Sequence, residues 1–178
     1  MWTSWLQDSL PVLEHCAHKS LVVYVSIGWN LKHPCVTAWA VKVGNSTIMA
    51  VARKPGFTVL STSDQELVAV SGCVAAVRAL RELAIEFGMP QDDPSNIDCD
   101  NNSVVLISRA AASFKSSLYL ARRAVFVQES TQEGHTRVRD VHTALNYVDV
   151  LTKSFHKTPK VFQRHLEVLL NLISNMST

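Results

Sequence analysis

Three acidic residues stand where an α/β chain can bring carboxylates together. Asp100 follows a short apolar segment, 96–99, that is typical of a strand, and a polar cluster then begins a helix at Asn101. Glu66 lies in the first turn of a long predicted helix, and Asp149 lies in a helix predicted after the last strand. Open sheets form their sites at the carboxyl ends of strands, so the three side chains can converge there. Carboxylates suit magnesium, and a pair of such ions can drive cleavage of a phosphodiester bond.

Each of these acids also has a purely structural interpretation, and spacing alone does not decide between the two. Ser63 and Glu66 fit a capping box, in which the Glu side chain bonds the amide of the cap residue. Asp100 fits the N-cap of the helix that begins at Asn101. Asp149 fits an ordinary exposed acid on a helix. The hypothesis of a metal site therefore depends on the three acids acting together.

The elements that must position these acids alternate between strand and helix patterns. Three strand-like segments come first, and Gly44-Asn45 between the second and the third suits a hairpin turn. Helical periodicity then begins at Ser63 and ends near Gly88. The predicted strands cover 21–27, 36–43, 46–53, 96–99 and 135–141, and the predicted helices cover 4–17, 63–88, 101–109, 116–129, 144–154 and 159–174. This order predicts a mixed five-stranded sheet, with three antiparallel strands followed by parallel strands, flanked by helices.

Length and composition fit one domain with a core. Of the 178 residues 47% are hydrophobic and 18% are charged, and no apolar run is long enough to cross a bilayer. We divide the chain into an N-terminal helix within 1–19 and a domain over 20–178. The first residues lack an early Arg or Lys, so they resemble neither a secretory signal nor a transit peptide. The four cysteines form no CxxC pair, which favours free thiols in a reducing intracellular compartment over a metal site or disulfides.

Positive charge is concentrated in the last third of the chain. Between Lys115 and His165 nine basic residues stand against four acidic ones, which leaves +5 there and −3 in the rest of a chain of net charge +2. Such a segment can contact phosphates, and the alternative is a solvated helical face. Under the first interpretation the candidate nucleic-acid-binding residues are Lys115, Arg122, Arg123, Arg137, Arg139 and Lys153.

Three short motifs resemble those of a known family, the ribonuclease H domain at the C-terminal end of copia-type LTR retrotransposon polyproteins. The motifs are TSDQELVAV at 62–70, CDNNSVVLI at 99–107 and NYVDVLTKSF at 146–155. The last is the most specific, because its Asp, Leu, Thr and Lys at 149 and 151–153 all fall in step with the family's pattern. The resemblance implies a ribonuclease H fold with a two-magnesium site. The metal-site carboxylates that it implies are Glu66, Asp100 and Asp149.

The resemblance fails at the first strand, where the family carries its first carboxylate. Ser26 stands at that Asp position and Gly28 at a second acidic one, and no Asp or Glu lies between Lys19 and Ser63. A neutral serine is a weak ligand, so two divalent cations would be poorly compensated. In the substrate-facing segment 114–121 the family's two His, its Arg and its Lys are also replaced, by Phe114, Tyr119, Ser116 and Leu118 respectively. A retained fold with an eroded site is typical of a domain reused for shape or binding.

Two functions fit this sequence. The first is a non-catalytic ribonuclease H-like domain that serves, without a cofactor, as a structural or nucleic-acid-binding subunit of a larger assembly such as a ribonucleoprotein. Trp2, Trp5 and Leu6 could anchor it to a neighbour, or could cover its own domain. An organellar assembly is among the partners that this function allows. The alternative is an active magnesium-dependent ribonuclease H from a retroelement, which cleaves the RNA of RNA–DNA hybrids while water or the Ser26 hydroxyl replaces the lost carboxylate.

Overall fold

The computed structural model describes residues 21–30, 33–44, 46–56, 61–110, 118–153 and 159–170, with the backbone alone for 21–30 and 33–35. The predicted N-terminal helix and the candidate residue Lys115 lie outside these ranges. Within them, no helix is both long enough and apolar enough to cross a membrane.

A single mixed sheet organises the fold. Its strands are β1 Leu21–Asn30, β2 His33–Val43, β3 Ser46–Arg53, β4 Ser95–Cys99 and β5 Thr136–Asp140. They lie in the order β3-β2-β1-β4-β5, so β1 is central. Pairing is antiparallel between β1 and β2 and between β2 and β3, and parallel between β1 and β4 and between β4 and β5. The predicted sheet is confirmed, and its parallel half directs the carboxyl ends of β1, β4 and β5 to one edge.

Within the described ranges, four α-helices accompany the sheet. They are α1 Thr62–Glu86, α2 Asn102–Ser108, α3 Leu118–Gln132 and α4 Pro159–Leu170. The long helix α1 stops where predicted, because Gly88 adopts a φ of +74° that a side chain would strain. The Met89 amide then bonds the Ala84 carbonyl and closes the helix end.

The helix predicted over 144–154 is wrong. The chain forms two short 3₁₀ helices there, Thr143–Leu145 and Tyr147–Leu151. Asn146 separates them with a ψ of 87°, outside the helical range. The segment is rich in β-branched and aromatic residues, which are poor helix formers, so a continuous helix has little local support. Asp149 therefore lies in the second 3₁₀ helix and not in an α-helix.

The core has two sides because residues of β2 alternate across the sheet. Trp39 and Val41 face a large apolar cluster that α1, α2 and α3 complete, and we name this side the front face. Ala38 and Ala40 face a smaller cluster with Val148 and Leu169, which we name the back face. Helix α4 and the second 3₁₀ helix therefore cover the back of the hairpin strands. This arrangement brings the 3₁₀ segment beside the edge where β4 ends.

Candidate carboxylate site and basic cleft

Glu66, Asp100 and Asp149 converge at the edge where β4 ends, and Lys153 lies among them. Lys153 Nζ is 2.6 Å from Asp149 Oδ2 and 4.0 Å from Asp100 Oδ2. On the other side of Asp100, the Glu66 carboxyl is hydrogen-bonded to the Asp100 carboxylate. Glu66, Asp100, Lys153 and Asp149 thus interact in that order, each with the next. We name these four residues the carboxylate site. The three acids were predicted from the sequence as residues of one site, whereas Lys153 was predicted to bind nucleic acid.

Burial controls the charge of this site. Glu66 is 5% exposed and Asp149 is 3% exposed. The pKa of Glu66 is raised to about 8 by desolvation first, then by repulsion from the Asp100 charge and by the hydrogen bond to Asp100, whereas hydrogen bonds with Asn101 and Cys99 oppose the rise. At neutral pH Glu66 is therefore protonated, and its O–H donates to Asp100.

The structure contradicts all three of the structural interpretations of these acids. The N-cap of α1 is Ser61, whose side chain accepts from the Asp64 amide, so the predicted capping box of Ser63 and Glu66 is wrong. The N-cap of α2 is Asn101, whose side chain accepts from the Ser103 amide. Asp100 is therefore not the N-cap of α2. Glu66 lies in the second turn of α1 instead of the first. Asp149 is buried instead of exposed.

Ser26, at the position of the missing acid, comes where the pairing of β1 with β4 ends, as Asp100 does. Val25 of β1 pairs with Cys99 of β4 in parallel register. This is the last pair between the two strands, and Ser26 follows Val25 as Asp100 follows Cys99, so each residue comes directly after that pair. The strand β1 carries no acidic residue anywhere in its sequence LVVYVSIGWN. The first strand, where the resemblance places the family's first carboxylate, therefore adds none at this edge.

The residues present do not fit a pair of magnesium ions as they are arranged. Among the described residues, no group of three or more His, Cys, Asp or Glu side chains is placed to hold a metal ion. The ammonium of Lys153 occupies the position between Asp100 and Asp149 where a shared cation would bind. Glu66 holds a proton in place of a negative charge. One ammonium and one proton thus offset most of the negative charge of the three acids.

The five described candidate nucleic-acid-binding residues fall into three groups: two are exposed, two are held in ion pairs, and Arg123 lines a cleft. Arg122 and Arg137 are exposed, on α3 and β5 respectively. Arg139 is instead bound to the buried Asp98, with Nε and Nη2 at 2.8 Å and 2.7 Å from Asp98 Oδ1. Burial raises the pKa of Asp98, and the Arg139 guanidinium opposes that rise. Arg139 and Lys153 thus serve internal ion pairs.

Arg123 belongs to a cleft on the front face that sequence reasoning missed. The cleft has a volume of about 490 Å³. We name it the basic cleft, and its lining residues are Thr37, Arg53, Lys54, Pro55, Gly56, Val68, Tyr119 and Arg123. The sequence does contain a sign of this cleft, in the segment Arg53-Lys54-Pro55-Gly56. Two basic residues stand there directly before the Pro-Gly pair that ends the strand pattern.

Packing fixes two of these cations. The Arg123 guanidinium lies 4.7 Å over the ring of Tyr119 and donates to Ser71 Oγ at 2.5 Å and to the Tyr119 hydroxyl. Arg53 lies against α1 at Gly72, where an added Cβ would be 3.3 Å from Arg53 Nη2. Glycine at that position lets the guanidinium approach the helix. The cleft therefore presents positive charge in a defined geometry.

Comparison with known proteins gives structural matches alone. No protein-family profile matches the chain, and no curated protein matches it. LC11-RNase H1, isolated from compost by a metagenomic approach, superposes with a TM-score of 0.57 at 12% identity, over 83% of this chain and 99% of that one. The N-terminal RNase H domain of Rv2228c from Mycobacterium tuberculosis gives a TM-score of 0.55 at 14% identity, over 84% and 97%. LC11-RNase H1 in complex with an RNA/DNA hybrid gives 0.52 at 14% identity, over 71% and 88%.

Two of these matches cover more than four fifths of this chain and nearly all of the matched structure. The chain has a ribonuclease H-like fold, as the sequence predicts, and identities this low show the fold alone.

Proposed function

We propose that this ribonuclease H-like chain is a non-catalytic domain that binds a nucleic-acid backbone through its basic cleft, as a subunit of a larger assembly. One contrast carries the proposal. The carboxylate site is largely neutralised by Lys153 and by the proton on Glu66, whereas Arg53, Lys54 and Arg123 line an open cleft. Their charge is therefore available to an external anion.

The loss of catalysis is argued from charge. With Glu66 neutral, the carboxylates of Asp100 and Asp149 and the ammonium of Lys153 leave a single negative charge. Two divalent cations need far more negative charge than that, because charge-assisted ligation is their main attraction to protein oxygens. Ser26, at the position of the missing acid, adds no charge. The site lacks the electrostatics of two-metal hydrolysis.

Binding is argued from the chemistry of the cleft. Guanidinium groups and an ammonium are the donors that proteins use for phosphate. Of the ion pairs between described residues, none involves Arg53, Lys54 or Arg123. Arg123 is positioned in advance by Ser71 and Tyr119, which lowers the entropic cost of binding. LC11-RNase H1 has been crystallised with an RNA/DNA hybrid, so that polymer is the first ligand to test.

An active magnesium-dependent ribonuclease H remains the second candidate, because Glu66, Asp100 and Asp149 do meet at one edge. In that case magnesium would have to displace Lys153 and remove the proton from Glu66. Descent from a copia-type retroelement, which the motif at 146–155 supports, is compatible with either candidate. A protein or ribonucleoprotein partner completes the first proposal.

The test measures binding and cleavage in the same preparation. Fluorescence anisotropy of a labelled RNA–DNA hybrid, in EDTA, should show salt-dependent binding by the full chain. The double variant Arg53→Ser/Lys54→Ser should bind about tenfold or more weakly with a shallower salt slope, because it loses phosphate contacts. The matched control Lys160→Ser changes an exposed lysine of α4, outside the cleft, and should bind as the wild type does.

Cleavage is then measured with Mg²⁺ or Mn²⁺ added. We expect none. Cleavage by the wild type that is lost in Asp100→Asn would establish the second candidate. Equal hybrid affinity for the wild type and the cleft variant would refute binding through the cleft.

A further inference from the structure

We infer that the basic cleft prefers single-stranded nucleic acid to a duplex, because Tyr119 gives it a ring on which an unpaired base can stack. This inference rests on the proposed function, since it names the class of nucleic acid that the cleft would take. It concerns a combination of lining groups that a site for the backbone alone does not need. Three basic side chains share the cleft with an aromatic ring and with apolar side chains.

The Tyr119 ring is held in place and still reaches solvent. It lies one helical turn before Arg123 in α3, and the Arg123 guanidinium lies 4.7 Å from the ring centroid and also donates to the Tyr119 hydroxyl. Arg123 is in turn held by Ser71 Oγ on α1. With these contacts made, Tyr119 is still 45% exposed. A fixed, partly exposed aromatic ring beside basic groups is what proteins use to stack the bases of single strands.

Two of the cations stand close together because neighbouring residues of α1 receive them. Ser71 accepts from Arg123, and the Arg53 guanidinium lies against Gly72, where an added Cβ would be 3.3 Å from its Nη2. Consecutive Cα atoms are only about 3.8 Å apart, so the two guanidiniums reach the cleft side by side. Of the described residues that line the cleft, none is acidic, so the lining itself brings no negative charge. Such a pair can contact successive phosphates of one strand.

The size and the apolar part of the cleft favour one strand over two. Its volume of about 490 Å³ is that of a pocket for a single small molecule, so it has room for about one nucleotide. A duplex keeps its bases paired and stacked inside, and it would present only its backbone to the cleft. Pro55 and Val68 line the same space and provide apolar contacts for a base. An unpaired base therefore gains contacts in the cleft that a duplex does not.

The test compares two probes by fluorescence anisotropy, with the full chain in EDTA. One probe is a labelled oligouridine, and the other is a labelled, blunt-ended RNA–DNA hybrid of the same length. The wild type should bind the single strand about fivefold or more tightly than the hybrid, the gain expected from stacking one base on an aromatic ring. Hybrid binding that is equal or tighter would overturn the inference, and this comparison needs no variant.

Three variants then identify the ring as the cause. Tyr119→Leu should lose the preference, with about fivefold weaker binding of the oligouridine and an unchanged salt slope, because no phosphate contact is removed. Tyr119→Phe keeps the ring and should keep the preference. The control Phe87→Leu changes an exposed aromatic residue outside the cleft and should bind both probes as the wild type does. Equal weakening for the two probes in Tyr119→Leu would overturn the inference, because the ring would then act only by holding Arg123.

Failure of this inference and failure of the proposed function give different results. If the hybrid binds as tightly as the oligouridine and Arg53→Ser/Lys54→Ser weakens the binding of both, the cleft binds backbone phosphates and only the preference for single strands is wrong. If neither probe shows salt-dependent binding, the proposed function fails and this inference fails with it.

Discussion

Glu66 shows how one residue's environment sets its chemistry. In the sequence it is an acid near a helix start, but burial and the neighbouring Asp100 raise the pKa of its carboxyl to about 8 from 4.5. Between these values the folded chain holds a proton that the unfolded chain has released. The free energy of unfolding therefore falls as pH rises through this window, by at most about 1.4 kcal/mol per pH unit from this group.

We predict that Glu66→Gln removes this dependence. Gln is neutral at every pH, so the variant should gain stability relative to the wild type from about pH 5 to about pH 9. Urea unfolding across that range measures the difference. Glu86→Gln, an exposed acid at the other end of α1, should follow the wild-type curve. A Glu66→Gln curve parallel to that of the wild type would mean that the carboxyl is ionised in the folded chain at neutral pH.

The carboxylate site also shows what residue types alone predict. The sequence identified Glu66, Asp100 and Asp149 because acids at strand and helix ends are local features. It could not place Lys153 between two of them, because that contact depends on how the 3₁₀ segment packs beside β4. The basic cleft was missed for the same reason, since Arg53 and Arg123 are far apart in sequence and meet only across the front face.

At the scale of elements, the connection from α1 to β4 depends on one buried arginine. Arg81 of α1 is 6% exposed, and burial lowers the pKa of its guanidinium. It donates to the Asp93 carbonyl at 2.7 Å, to Ser95 Oγ at 3.0 Å and to the Gln91 carbonyl at 2.5 Å. These bonds fix the loop that leads into β4, and so the strand that ends at Asp100.

We predict that Arg81→Met lowers the free energy of unfolding by about 2 to 4 kcal/mol, because it leaves these acceptors without their charged donor. Chemical denaturation measures the loss. The matched variant Arg78→Met, one turn earlier, removes an ion pair with the half-exposed Glu133 and a cation–π contact with Phe126. It should cost about 1 kcal/mol or less. Equal losses in both variants would show that the loop is held by other contacts.

Elements were predicted well where sequence period and turn residues agree. The hairpin, α1 and β4 follow from strand alternation, helical spacing and the stop at Gly88. The segment 144–154 was predicted wrongly because its apolar residues fit a helical pattern while its residue types disfavour a helix. In the folded chain Val148 packs against the back face, and that contact is not visible in the sequence.

At the scale of the molecule, the described side chains form a large cluster on the front face and a small one on the back face. Among these side chains, the front cluster draws on three helices and four strands, whereas the back cluster joins Ala38, Ala40, Val148 and Leu169 with a few partly buried neighbours. Helix α4 is further tied to the hairpin by Thr47 and Lys42, which donate to the Leu169 and Val168 carbonyls. We infer that α4 opens independently of the front face, since regions with few buried contacts form the least stable cooperative units.

We predict that Leu169→Ala lowers the free energy of unfolding by about 2 to 3 kcal/mol and speeds amide hydrogen exchange in α4 while leaving exchange in α1 slow. Leu169 is 4% exposed, and its neighbour Leu170, at 55% exposed, provides the control. Leu170→Ala should stay within about 0.5 kcal/mol of the wild type. Exchange measured by mass spectrometry separates the two faces directly. If α1 and α4 exchange at one common rate in Leu169→Ala, the domain opens as a single unit, and the back face is not a separate layer of stability.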